Sequence, residues 1–300
     1  MDVIKKNNFH ALKKLVCIYT CKSDTHSLNL FKKTKLYNQL KSNNSCRVIE
    51  VYAGANETKL NGDVLHLKCP EEYSKLSLKT YEMLKKSISK FQFDYLFKID
   101  CNIFEYKNEH IGLPLEIHND LFREDIIEKI ILDDYFFKDE YIGSVMSCIQ
   151  TNDSLDKWAK VKNLNVKKLK VCHQVPFFAG KFYGMSRSVC EFVAQHGESN
   201  AKLFVDDYGG AEDVYIGYMF SKYNNSYFNL DILLNYIENI ESFTDHTKTK
   251  QYLKRLIDIC NKYKSKLEFE QRNCVHNTEF NENQFNLINN KFKYKLNFLK

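Results

Sequence analysis

Two short acidic stretches carry the residue types that chemistry on a charged ligand requires. The first is Asp100-Cys101-Asn102, which interrupts the apolar run FDYLFKIDCNIF at residues 93–104. The second is Glu212-Asp213, inside DDYGGAEDVYIGYMF at residues 206–220. A carboxylate and an amide two residues apart after a strand can hold a divalent ion through hard oxygen donors, and that ion can neutralise a diphosphate. The same residues can also be a polar loop that caps the next element. Neither stretch alone decides between these readings.

The elements that must position them alternate in type. In KKLVCIYTCKSD, residues 13–24, a basic lead-in precedes an apolar run and a polar break, the pattern of a buried strand followed by a loop. CRVIEVYAG, residues 46–54, repeats the pattern and stops at a glycine. Between them Leu28, Phe31, Leu36, Tyr37 and Leu40 recur at helical spacing over residues 27–41, which begins a βαβ unit. GDVLHL, residues 62–67, reads as a third strand, and residues 73–91 as a helix with Leu76, Thr80, Met83, Leu84 and Ile88 on one side.

FDYLFKID is then a fourth strand, apolar on both faces and so expected mid-sheet between helices. Ligand sites in open α/β sheets lie outside the carboxyl ends of strands, where Asp100 to Asn102 stand. Further on, residues 120–132 are amphipathic and residues 141–149 read as a strand. Residues 175–197 couple an aromatic segment to a helix capped by Ser186 or Ser188, and residues 206–220 are an acidic loop entering another helix. The last fifty residues read as helical.

With 300 residues and 44% hydrophobic content, the chain can fill a large core. Its balance of 44 Lys and Arg against 38 Asp and Glu is too small for a dedicated nucleic-acid binder and suits a small anionic ligand. No apolar run reaches the ~20 residues that span a bilayer, so no transmembrane segment is expected. The ten cysteines are scattered without a Cys-x-x-Cys pair, as expected of free thiols in a reducing compartment. Cys172-His173 and Cys274-Val275-His276 are zinc half-sites without partners at ligand spacing.

The order of the blocks adds a resemblance. Gly62, Asp63, Tyr73, Leu76, Lys79, Thr80, Tyr95, Lys98, Asp100 and Phe104 fall where the β-1,3-galactosyltransferase family has its "GD(I/V)", "Y..L..KT" and "(F/Y)..K.DDD.F" blocks. VPFFAGKFYGMS resembles its "YP.Y.SG.GYV.S", and AEDVYIGYMF its ".EDV..G". Together the blocks span residues 15–220.

The resemblance implies an α/β protein of the GT-A, Rossmann-like fold, a mostly parallel central sheet flanked by helices. It implies one glycosyltransferase domain over residues 1–300, with a lead-in of about 14 residues and a helical extension over about 247–300. The implied partners are a UDP-sugar donor and a glycan or glycosylated acceptor. The implied cofactor is Mn²⁺ or Mg²⁺ on Asp100, Asn102 and His246. Asp213 would be the general base that takes the proton of an acceptor hydroxyl. Thr20, Cys21, Lys22 and Lys79 would lie near the nucleotide, and Gly180, Lys181 and Glu212 near the sugar and acceptor.

The third position of the family's acidic triplet is here Asn102, an oxygen donor without charge. Weaker metal use, metal-independent catalysis with lysines on the diphosphate, and loss of activity remain as alternatives. Anchor and disulfides of eukaryotic members have no counterpart in this chain, which suggests a cytoplasmic relative or, alternatively, a luminal Golgi domain.

Overall fold

The computed structural model describes residues 12–105, 119–133, 140–143, 146–147, 158–160, 162–165 and 177–223, with residues 247, 250, 251 and 254. The fold is built outward from Lys14–Tyr19 (β1), whose six residues are all buried. Such a strand must be covered on both faces. Helices Thr25–Phe31 (α1) and Lys35–Ser42 (α2) lead to Cys46–Tyr52 (β2), which pairs parallel to β1. The single helix expected over 27–41 is thus two. Thr34 breaks it: its hydroxyl accepts from the Tyr37 backbone N–H at 3.1 Å, an N-cap that starts α2 afresh.

Lys59–Asn61 (β3) and Val64–His66 (β4) form an antiparallel pair turned at Gly62, which sits at φ +60°. β4 extends the parallel sheet beside β2. A 3₁₀ turn, Tyr73–Lys75, then opens the helix Leu76–Lys90 (α3), which buries Thr80, Met83 and Leu84 and delivers Tyr95–Asp100 (β5) to the other side of β1. The chain therefore reverses its winding between β1 and β5.

The helix Glu124–Leu132 (α4) buries Ile126, Ile127, Ile130 and Ile131, and Glu124 accepts from the Leu36 backbone N–H, fixing α4 to α2. The strand expected over 141–149 is described as two short pieces, Tyr141–Gly143 (β6) and Met146–Ser147 (β7), which join different sheets. β7 pairs with Phe177–Phe178 (β8). The aromatic segment after it is a strand, Phe182–Ser186 (β9), inserted antiparallel between β5 and β6. Gly184 permits that insertion, because a Cβ there would lie 2.5 Å from the Phe97 ring. Ser186 caps Arg187–His196 (α5) by accepting from the Val189 N–H at 3.3 Å. Glu198–Asp207 (α6) and Glu212–Tyr223 (α7) follow, and both pack with α5 against α3.

Among the described residues the main sheet has seven strands in the order β3-β4-β2-β1-β5-β9-β6. Its centre, β4-β2-β1-β5, is parallel. This is the expected α/β architecture of a mostly parallel sheet flanked by helices. No helix among the described residues is long and apolar enough to cross a membrane.

Gly210 ties the start of α7 to the start of α3. It stands at φ +74°, its carbonyl accepts from the Ser77 N–H at 3.1 Å, and a Cβ would run into the backbone of Ser74. Gly210→Ala therefore meets both a left-handed backbone and a backbone clash, and should lower stability by about 1–3 kcal/mol. A urea-unfolding midpoint equal to the parent's would contradict this docking.

Candidate functional site

The carboxyl ends of β1 and β5, the start of β9 and the N-terminus of α7 meet at one edge of the sheet. Because β9 runs antiparallel to β5, its first residue Phe182 pairs with Ile99, so the loop 179–181 lies beside Asp100. The Asp100 N–H donates to the Lys181 carbonyl at 2.9 Å, and the Cys101 N–H to the Tyr19 carbonyl at 2.9 Å. The site thus lies where the sheet reverses its winding, the usual ligand position of an open α/β fold.

A buried lysine organises it. Lys98 is 1% exposed, and its Nζ stands 2.5 Å from Asp100 Oδ1 and 3.1 Å from Glu212 Oε1, while also donating to the Gly180 carbonyl. The ammonium lies 4.7 Å from the centroid of the Tyr19 ring and 5.7 Å from that of Tyr183. Burial pulls its pKa down, but the two carboxylates outweigh burial and hold it above the ordinary lysine value. Lys98 and Asp100 share a strand face because they are two residues apart.

Glu212 and Asp213 begin α7 with different commitments. Glu212 is buried and engaged with Lys98. Asp213 remains partly exposed; its Oδ2 accepts from the Gly180 N–H at 3.1 Å and its Oδ1 from the Val214 N–H at 2.8 Å. Burial, reinforced by the neighbouring Glu212 charge, pushes the Asp213 carboxyl up to about 7. A carboxylate poised there is suited to taking a proton near neutral pH.

Two more lysines face the same edge. Lys79, buried on α3, donates to the Thr20 carbonyl at 2.7 Å and lies 4.7 Å from the Tyr19 ring centroid. Lys181 Nζ donates to both Asn102 oxygens, the carbonyl at 3.1 Å and the side-chain Oδ1 at 3.3 Å. Burial draws the pKa of each lysine down, and the Asp100 charge opposes the fall.

A divalent ion would need hard oxygen donors at this edge. Asp100 is paired with Lys98, and both oxygens of Asn102 accept from Lys181. Between them, burial pushes the Cys101 thiol up to about 12, so it supplies no thiolate. Among the described residues no three His, Cys, Asp or Glu groups are arranged to hold a metal. Among the described residues these donors contact ammonium groups, Asp100 through Oδ1 to Lys98 and Asn102 through both of its oxygens to Lys181.

The structure brings together Thr20, Lys79, Asp100, Asn102, Gly180, Lys181, Glu212 and Asp213. Cys21 and Lys22 sit at the rim after β1, where Cys21 Sγ lies 2.9 Å from Ser23 Oγ and Lys22 is exposed. His246 lies outside the described residues, as do Cys172, His173, Cys274 and His276. Sequence reasoning matched Lys98 to a motif but gave it no place in the site. The available signal was a lone lysine in an otherwise apolar strand, two residues before the acid.

Residues 43–231, which contain most of this cluster and more than half of the chain, match the family model described as Galactosyltransferase. No curated protein matches the chain.

Proposed function

Because the chain belongs to the galactosyltransferase family, we propose that it is an inverting glycosyltransferase using a UDP-sugar. The sugar moved would be a hexose of galactose or N-acetylglucosamine type, and the product a β-1,3-linked glycan. The observation that carries this reading is Asp213, a partly exposed carboxylate pushed up to about 7 beside the lysine-lined switch point of the sheet.

In the proposed reaction an acceptor hydroxyl oxygen attacks the anomeric carbon as its proton passes to the Asp213 carboxylate. The bond from that carbon to the phosphate oxygen breaks, and its electron pair leaves with the diphosphate. One displacement inverts the anomeric centre. Gly180 leaves room for this, since a Cβ there would meet the Glu212 carboxylate. Its N–H orients Asp213, and its carbonyl is tied to Lys98.

A screen of nucleotide sugars for thermal stabilisation tests the reading, because a ligand that binds only the folded chain raises its apparent stability. UDP-sugars are expected to raise the melting temperature, and stabilisation by none of them would refute the donor class. Asn102 favours a second reading, a nucleotide-sugar-binding module without turnover. That reading predicts UDP-sugar binding with no hydrolysis or transfer under any condition.

A further inference from the structure

We propose that Tyr73 and Trp158 form the platform on which a pyranose ring of the acceptor lies, so that this chain reads a saccharide acceptor through the apolar face of the sugar. The proposal deepens the glycosyltransferase reading above and rests on it. Its ground is an aromatic pair left at the surface beside the proposed base. Tyr73 opens the 3₁₀ turn before α3 and is 37% exposed. The Trp158 ring lies 6.0 Å from the Tyr73 ring at 53°, and the Trp158 Nε1–H donates to the Tyr73 hydroxyl at 3.3 Å.

Both residues are packed on the loop that delivers Asp213. Gly209 and Gly210 lie between α6 and α7, whose first residues are Glu212 and Asp213. At Gly209, which stands at φ +60°, a Cβ would come within 3.1 Å of the Trp158 ring and 3.0 Å of the Leu164 side chain. At Gly210 a Cβ would strike the backbone carbonyl of Ser74, the neighbour of Tyr73. Desolvation first, and then the charges of Glu212 and Asp213, hold the Tyr73 hydroxyl well above the ordinary tyrosine value. The phenol therefore stands in a recess within electrostatic reach of both acids, although part of it meets solvent, and it keeps its O–H as a donor at neutral pH.

Tyrosine and tryptophan suit a surface that is apolar in its body and polar at its edge. A pyranose has the matching pattern, with ring C–H bonds gathered on one face and hydroxyls around the rim. Lys162 Nζ, 4.5 Å from the Tyr73 ring centroid, puts a further polar group at the border. A nucleobase is also a stacking partner, but the residues assigned to the nucleotide, Thr20 and Lys79, stand at the end of β1. The aromatic pair is instead packed on the loop carrying the group that takes the acceptor's proton.

Trp158 is the chain's one tryptophan, so its emission reports on the platform directly. The full chain is first titrated with UDP, then, saturated with it, with methyl β-galactoside, methyl β-N-acetylglucosaminide and lactose, with mannitol as an open-chain control. At least one saccharide is expected to shift the emission and to protect it from quenching by acrylamide, saturably and in a way that mannitol does not reproduce. By calorimetry, Trp158→Ala should weaken binding of that saccharide about tenfold, whereas Trp158→Phe, which keeps a ring, stays within about threefold of the parent. Both variants should keep the parent's UDP affinity. Protection by none of the saccharides, with UDP still bound, overturns the proposal and leaves the transferase reading intact. Protection by UDP alone assigns the platform to the nucleobase and overturns the proposal as well. Equal saccharide affinity of Trp158→Ala and the parent also overturns it. Absence of UDP binding overturns the UDP-sugar reading and the proposal with it. The fluorescence titration of the parent needs no variant to fold.

Discussion

Asp213→Asn is expected to slow transfer by about 10²–10⁴-fold, the range for losing a general base, while UDP affinity stays unchanged. The amide keeps the shape of the side chain and can still accept from the Gly180 N–H, but it cannot take the acceptor's proton. In the parent, kcat/KM should rise with pH through about 7, where the carboxyl loses its own proton. Unimpaired transfer by the Asn variant would remove Asp213 from the mechanism.

The same group couples stability to pH. Its ordinary value is 3.8 and its folded value about 7, so between them the folded chain retains a proton that the unfolded chain has lost. That contribution is complete below the lower value and is lost as pH rises through the upper one. Relative to the parent, the Asn variant should therefore gain more in melting temperature at about pH 8 than at about pH 5. An equal shift at both would show that Asp213 does not carry this burden.

Lys98→Met should be the most damaging single change in the site, costing about 3–5 kcal/mol, as removal of one partner of a buried ion pair does. Methionine fills similar space without overpacking the strand. It leaves Asp100 and Glu212 without their shared cation and the Gly180 carbonyl without its donor. Adding Glu212→Gln should recover part of the loss, because one uncompensated charge is removed. Urea unfolding of the parent, both single variants and the double variant measures the coupling. Strict additivity would mean that the pairing contributes nothing of its own. In active enzyme, Lys98→Met should also move the acid limb of the pH profile upward, since Lys98 lowers the pKa of Asp213.

What the sequence made legible was whatever depends on local pattern. The apolar runs of β1, β2 and β5 show their burial directly, and the polar break at Asp100 marks where β5 ends. A hydroxyl cap at Ser186 or Ser188 was readable because hydroxyl and helix start are adjacent, and the fold uses Ser186. Pattern failed where partners far along the chain decide. FYGMS is a strand because β5 and β6 lie on either side to pair with it, and its glycine records an approach to Phe97 that only the folded sheet creates. The short β3 owes its existence to β4 across the turn at Gly62. In the site, the acids were visible as types, but the grip of Lys98 and the union of Asn102 with Lys181 join residues 79 or more apart. No local window contains both ends of such a bond.

That span has a consequence for how the molecule comes to be active. The bonds from Lys98 to Gly180 and Glu212 bridge 82 and 114 residues, so their loop-closure entropy is met only when the antiparallel half docks on the parallel half. A nascent chain that has completed β1, β2 and β5 owns Asp100 but neither the Gly180 carbonyl nor the α7 acids. With Asp213 as the proposed base, an amino-terminal fragment ending before α7 is expected to lack transfer activity.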